Sequence, residues 1–297
     1  GVVNFRIARI SQPCYLKKMM RLVFCWLFAC FAGFPTAQAG IFDKQPKALE
    51  TLNLSYGKHE RQVLDVVHLE GAKDCPVILF FHGGSWRWGR KDYHRTIGKQ
   101  FAQAGVVFAT ANYRLYPEVR FPAFPEDAVL AVKWIRDNIA KYGGNPKKIF
   151  LMGHSSGAHS MALVGLDESY LKKVGGDFSW IKGVIAMSCP YYFDPSKEFL
   201  YRDVFDVGRD HKEFMPLNHV DGGAEPPILV MHGFFDPLIA VERAEAFIKK
   251  VRAVGGKVTR KIYSSHGHFS LVRRTTSWHI WPKPFLKDIV GFVRENE

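Results

Sequence analysis

The strand-like run Lys148 to Met152 passes without a break into Gly153-His154-Ser155-Ser156-Gly157 and then into a small-residue segment ending near Leu166. A short, apolar run of this kind suits a strand covered on both faces. The segment behind it suits a helix that packs close to that strand. Two glycines flanking a serine between these elements predict a turn too tight for side chains at positions 153 and 157, one that lifts the Ser155 hydroxyl off the end of the sheet. In a chain of 297 residues with 26 glycines, a G-x-S-x-G match is weak by itself. Its strand-turn-helix setting gives it weight.

The rest of the chain alternates in the same way, which predicts an α/β fold with a mainly parallel sheet of about eight strands and helices on both faces. Strands are expected at Leu49 to Tyr56 and Arg61 to Leu69, joined as a hairpin around Gly57-Lys58, and then at Pro76 to Phe81, Val106 to Asn112, Ile181 to Ser188, Pro227 to His232 and Val258 to Tyr263. Helices are expected over Tyr93 to Ala104, Pro125 to Tyr142, Val241 to Val254 and Pro284 to Arg294. The stripe Ala128, Val129, Ala131, Val132, Trp134, Ile135 and Ile139 has helical spacing and stops at Gly143-Gly144. Residues 191–225 are rich in aromatics and poor in periodicity, and are expected to form a small lid-like excursion. Residues 40–297 read as one catalytic domain.

A serine hydroxyl is a poor nucleophile near neutrality and needs a base, which in turn needs an orienting acid. Asp236 follows the strand Pro227 to His232 in the sequence Gly233-Phe234-Phe235-Asp236-Pro237, on a loop at a strand's carboxyl end. Asp194, Asp203, Asp206 and Asp210 have no strand to hold them. Capping of the helix starting near Val241 is too distant a role for Asp236. The base comes from Ser265-His266-Gly267-His268-Phe269, behind the last strand; His268 is preferred and His266 stays open. The H-x-H pair has no carboxylate or cysteine cluster beside it, so no metal is expected. Phe81-His82-Gly83-Gly84-Ser85-Trp86 ends another buried strand, and two adjacent glycines there let backbone N–H groups approach a developing oxyanion. Gly83, Gly84 and Ser156 are the candidate donors. Trp86, Trp88, Tyr191 and Tyr192 fall on loops at strand carboxyl ends and are the candidate substrate contacts, for an apolar or aromatic group.

Together these residues resemble the α/β-hydrolase superfamily, in particular its carboxylesterases and lipases with an H-G-G oxyanion motif. Asn112-Tyr113-Arg114-Leu115, Pro122-Ala123, Glu126-Asp127 and Tyr142-Gly143-Gly144-Asn145-Pro146 fall where that family has similar segments. The resemblance implies hydrolysis of small carboxylic esters through an acyl-serine, without a cofactor, by Ser155, His268 and Asp236. His82 to Trp86 with Gly153 to His159 is also similar to kynurenine formamidase-like hydrolases, which would make an aryl formamide the alternative substrate. Ser156 stands where alanine is common, and only its N–H is required. A non-catalytic binding protein on this fold should have lost a triad residue or an oxyanion glycine, and none is missing here.

Ahead of this domain, Lys17-Lys18-Met19-Met20-Arg21, the apolar run Leu22 to Phe34 and Ala37-Gln38-Ala39 form the pattern of a secretory signal peptide, with cleavage expected after Ala39. Met19 or Met20 is the expected start, with residues 1–18 upstream of it. A membrane anchor fits less well, because the run is shorter than the roughly 20 residues a spanning helix needs. Acylation at Cys30 fits less well too, beside the bulky Phe28. The protein is therefore expected to be exported, periplasmic or secreted.

The formal charge of +13 shrinks with the leader. Five of the 41 basic residues (Arg6, Arg9, Lys17, Lys18 and Arg21) and none of the 28 acidic ones lie in residues 1–39, so about +8 remains. The remainder is scattered and carries no nucleic-acid-binding motif, so no nucleic acid is expected as partner. Association with an anionic envelope surface is compatible with it. Cys14, Cys25 and Cys30 leave with the leader. Cys75 precedes one strand and Cys189 follows another, so in a parallel sheet they should lie at opposite ends, unpaired.

Overall fold

The computed structural model describes residues 46–206, 208, 210–273 and 283–297. The expected leader, its cleavage site after Ala39 and Cys14, Cys25 and Cys30 lie outside them. Residues 46–297 form one unit. It is built on an eight-stranded sheet: β1 (Ala48–Ser55), β2 (Val63–Leu69), β3 (Cys75–Phe81), β4 (Val107–Ala111), β5 (Gly144–His154), β6 (Ile181–Met187), β7 (Ile228–Gly233) and β8 (Val258–Tyr263). The spatial order is β1-β2-β4-β3-β5-β6-β7-β8. β1 pairs antiparallel with β2 and β2 with β4, and every later pairing is parallel.

The central strands are apolar throughout because both faces are covered. Along β3, Val77, Leu79 and Phe81 enter one core while Ile78 and Phe80 enter the other, the period-two alternation of a strand. α1 (Arg95–Gln103) and α5 (Lys283–Asn296) cover the second face through Ile97, Phe101, Ile289 and Phe292. α2 (Ala123–Asn138), α3 (Ser156–Leu166) and α4 (Val241–Ala253) cover the first through Phe124, Val132, Met161, Phe247 and Val251. Crossovers of this kind leave all the parallel strands ending on the same edge, where their loops meet.

Most element bounds fall within two or three residues of the sequence reading, and β8 matches it. Two bounds differ by four: α2 ends at Asn138, with a 3-10 turn over Ile139–Tyr142 in place of its expected last turn, and β5 begins at Gly144 rather than Lys148. Cys75 N–H donates to the Gly143 carbonyl at 3.0 Å, and Cys75 sits opposite Gly144 across a bulge, so the ladder runs back to the helix end. Cys75 and Cys189 are free thiols, the first half-buried and the second buried.

The excursion is not a loosely held flap. Tyr201, Val204, Phe205, Phe214, Met215 and Val220 are all buried in the first core. Phe205 lies edge-on to Trp86 at 4.8 Å between centroids and packs on Phe193 and Phe214. Aromatic content without periodicity marked an irregular segment correctly, but those rings go inward, where burying each one stabilises by about 2 to 3 kcal/mol. Among the described large apolar residues of the excursion, only Phe199 and Leu200, on the short helix Phe199–Arg202, are exposed.

Candidate active site

Ser155 occupies the turn between β5 and α3 with φ +53° and ψ −121°, a conformation that costs a non-glycine residue about 1–3 kcal/mol and persists only when its surroundings enforce it. The enforcement is visible at the two glycines. A Cβ on Gly153 would lie 2.4 Å from the Gly157 carbonyl carbon, and one on Gly157 would lie 2.2 Å from the Phe81 carbonyl oxygen. Helix, turn and the end of β3 are therefore in backbone contact, as close as the chain can pack. The Ser155 N–H donates to the Met187 carbonyl at 2.9 Å, which ties the turn to β6.

Two loops, after β7 and β8, deliver the partners. His268 Nε2 is 3.0 Å from Ser155 Oγ, and His268 Nδ1 is 2.8 Å from Asp236 Oδ2. Asp236 also uses its second oxygen: Oδ1 accepts the N–H groups of Leu238 and Ile239 at 3.0 and 2.9 Å. The aspartate thus does cap a local turn, ahead of α4 rather than at its first residue, and still presents Oδ2 to the histidine. Burial alone would raise its carboxyl, but the hydrogen bond and charge of His268, with the N–H groups of Ile239 and Leu238, outweigh burial and hold it below its ordinary value.

The choice between the two histidines is made by β7. The backbone of His266 and Gly267 lies against Gly233, where a Cβ would come within 2.4 Å of the His266 carbonyl oxygen, and Phe235 N–H donates to that carbonyl at 3.0 Å. The His266 ring packs on Phe285 and Tyr263, with centroids 5.0 and 5.8 Å away. His268, two residues on, turns to Ser155.

Gly83 and Gly84 line the same cavity as Ser155. A Cβ on Gly83 would sit 3.1 Å from the Ser155 Cβ and 2.7 Å from His154 Nδ1, so the bare backbone runs directly beside the nucleophile. Gly84 has φ +132°, and its carbonyl accepts from the N–H groups of Arg87 and Trp88, which curls the loop. Ser156 is the first residue of α3, so its N–H has no acceptor within the helix. Its side chain is buried, with Oγ 3.4 Å from the Tyr113 hydroxyl.

Tyr113 explains part of the Asn-Tyr-Arg segment. Its hydroxyl donates to the His82 carbonyl at 2.9 Å, and its ring stacks on Phe81 and His82. It therefore braces the strand end that carries Gly83. Histidines are the residues that sequence reasoning missed. His154 lies with Nε2 3.0 Å from the His268 carbonyl oxygen, pinning the backbone of the base. His232 Nε2 is 2.9 Å from the Ile239 carbonyl oxygen and 3.4 Å from Asp236 Oδ2. Burial lowers both rings well toward the neutral form, with His268 adding to the effect. Their place beside a triad has no local sequence signal beyond adjacency to the serine and to the end of β7.

The substrate candidates divide. Trp88 lines the cavity and is 59% exposed. Trp86 is 0% exposed and lies among Phe124, His159, Tyr201 and Phe205, so it belongs to the core and not to the substrate. Tyr191 is also buried, stacked on Phe247 at 4.0 Å. Tyr192 is half-buried with the Arg243 guanidinium 5.7 Å from its ring, and is not among the cavity residues. The cavity, about 440 Å³, is completed by Leu200, Leu238, Phe269 and Val272. Among the described residues, no three His, Cys, Asp or Glu side chains converge as metal ligands would.

A family model named BD-FAE matches residues 64–251, which include Ser155 and Asp236 and end before His268. The chain is 28% identical over 295 residues to the isoprenylcysteine alpha-carbonyl methylesterase of Arabidopsis thaliana, covering 91% of this chain and 67% of that protein. It is 32% identical over 220 residues to esterase LipC of Mycobacterium tuberculosis, covering 67% of this chain and 54% of that protein. It thus spans from about half to two thirds of the length of these curated relatives. Among solved structures, a truncated carbohydrate esterase from gut microbiota superimposes with a TM-score of 0.72 at 21% identity, over 85% of this chain and 98% of that one. The chain belongs to the BD-FAE family and has the α/β-hydrolase fold.

Proposed function

We propose that the protein is a serine carboxylesterase, moving the acyl group of an ester first to Ser155 and then to water. The observation that carries this reading is the chain of hydrogen bonds from Ser155 Oγ through His268 to Asp236, opening on an apolar cavity. Ser155 Oγ attacks the ester carbonyl carbon while His268 Nε2 takes its proton, and Asp236 holds the imidazole by Nδ1 and stabilises the cation that forms. The carbonyl oxygen becomes an oxyanion beside the N–H groups of Gly83, Gly84 and Ser156, donors aimed at charge present only in the transition state. His268 returns the proton to the leaving alcohol. A water then gives its proton to the same nitrogen and attacks the acyl-serine, and the acid leaves as His268 returns that proton to Ser155 Oγ.

The cavity's wall of Trp88, Leu200, Leu238, Phe269 and Val272 supports an apolar or aromatic ester group. Export is supported by the basic, apolar and small-residue pattern of residues 17–39, and a mature protein starting at Gly40 would bear it out on amino-terminal sequencing. Attraction to an anionic envelope surface is supported by the remaining positive charge.

The deciding experiment is turnover of short and long acyl esters and an aryl formamide by the wild type and Ser155→Ala. Labelling with an organophosphate should add one phosphoryl mass to the wild type and none to the variant. Full turnover by Ser155→Ala would overturn the mechanism. Turnover of the formamide alone would overturn the ester assignment.

A further inference from the structure

The cavity beside Ser155 has an apolar mouth, where Trp88, Leu238 and Phe269 are exposed, and a polar depth, where His94 keeps only 5% of its surface. His94 belongs to the segment between β3 and α1, and its ring packs on Phe80 with centroids 4.7 Å apart. Its Nδ1 is sealed from solvent without a hydrogen-bond partner, whereas Nε2 is not among the sealed atoms and is the ring nitrogen left to face the cavity. A buried polar group left without a partner is costly, and the reaction described above gives this one no task. His154, its neighbour on the cavity, is already engaged with the His268 carbonyl.

The chemistry of a partner follows from charge. Among the described residues no Lys, Arg, Asp or Glu lines the cavity, and beside these residues a carboxylate or ammonium on the substrate would lose its hydration without a counter-ion. Burial, with His82 nearby, pushes the His94 imidazole down to about 3, so at neutral pH it is uncharged. A neutral imidazole has one donor and one acceptor nitrogen. An uncharged hydroxyl satisfies the unsealed Nε2 whether that nitrogen is the donor or the acceptor, and the apolar mouth suits the carbon skeleton that carries it.

We infer that His94 is a specificity residue of this site, selecting esters whose cavity-filling group is an apolar body bearing a remote, uncharged hydroxyl. The inference rests on the esterase reading and adds the substrate class. A site built to pair with a hydroxyl discriminates against the analogue lacking it, because the protein's own polar group is then stranded.

The test uses the full chain and matched pairs of esters: methyl butanoate through methyl octanoate against their ω-hydroxy derivatives, and the corresponding alkyl acetates with and without an ω-hydroxyl. At one chain length in one series, the hydroxylated ester should have a kcat/KM higher by about threefold to tenfold. His94→Phe should erase that preference, bringing the kcat/KM ratio of each hydroxylated ester to its plain partner to about one, while His94→Gln, which keeps a donor and an acceptor, should retain part of it. Equal or better turnover of the plain ester at every length by the wild type overturns the inference, with no variant needed. A preference that survives in His94→Phe overturns it as well. A wild type that hydrolyses none of these esters would bring down the esterase reading itself, a result distinct from hydrolysis without discrimination.

Discussion

Two buried carboxylates in this molecule are wrapped in similar ways and serve different ends. Asp127, at 0% exposure on α2, accepts from the Arg114 guanidinium at 2.7 Å and the Arg114 N–H at 2.8 Å, and from Gln62 at 2.7 Å. Asp236 accepts two backbone N–H groups on one oxygen and His268 on the other. Each is charged, hydrogen-bonded and removed from water. The difference lies in the partner. Arg114 keeps its proton at any working pH, so the Asp127 cluster can only tie β2, the segment after β4 and α2 together. His268 can give and take a proton, and its far nitrogen faces a serine on a cavity. A buried ion pair becomes chemistry when the partner is titratable and the next atom along is reachable by substrate.

The sharpest way to break this comparison is to neutralise each carboxylate. Asp236→Asn should lower kcat/KM by about 10³ to 10⁴-fold with little change in unfolding temperature, because it loses the orientation and charge that support the imidazolium. Retained activity would remove Asp236 from the mechanism. Asp127→Asn should instead lose about 3 kcal/mol in denaturant unfolding, since Arg114 then keeps a charge without its partner, while kcat of the folded fraction stays within a few-fold. If kcat collapsed and the midpoint held, the assignment of Asp127 to structure would be wrong.

Acid separates carboxylates from histidines. His82, His94 and His159 are pushed by burial from 6.5 down to about 4, 3 and 3. Their folded values lie below the unfolded one, so their contribution is present above about pH 6.5 and is lost as pH falls toward 4, each adding at most about 1.4 kcal/mol per pH unit to the slope. Asp236, held below 3.8, contributes only to loss at still lower pH. Unfolding measured between pH 6.5 and 4 should show this steepening, and His159→Leu should remove about one proton from it. A slope identical to the wild type would mean that His159 is protonated in the native state.

The smallest effect is expected at the cavity mouth. Trp88→Ala should raise KM by up to about tenfold for esters with large apolar groups, with unfolding free energy within about 0.5 kcal/mol. Substrate-independent loss of kcat would place Trp88 in the reaction instead.

Trp86 and Trp88 show where the sequence stops being legible. They are two residues apart on one loop and equally aromatic, yet one is core and the other surrounds the cavity. Ser85 and Trp86 both have positive φ, and this backbone turn throws the Trp86 ring inward toward Phe205. Composition cannot encode that. The packing of the excursion was not legible for the same reason: its aromatics are buried against Trp86, Phe121, His159 and Phe247, partners that no local pattern names. The histidines around the triad were passed over because a buried histidine has no periodic signal, and its task depends on which carbonyl it meets.

Strand positions, by contrast, followed from runs of apolar residues broken by glycine and proline. The nucleophile followed from two glycines that only a backbone-to-backbone contact requires. Asp236 was readable because chain order and a strand end both pointed to it. These are local constraints, written in residues whose neighbours along the chain already limit them. The tertiary structure alone decided which of His266 and His268 reaches Ser155, which tryptophan meets the cavity, and that His94 lies in its depth. Those outcomes depend on how loops from β3, β5, β7 and β8 converge, and convergence is a property of the packed sheet rather than of any segment within it.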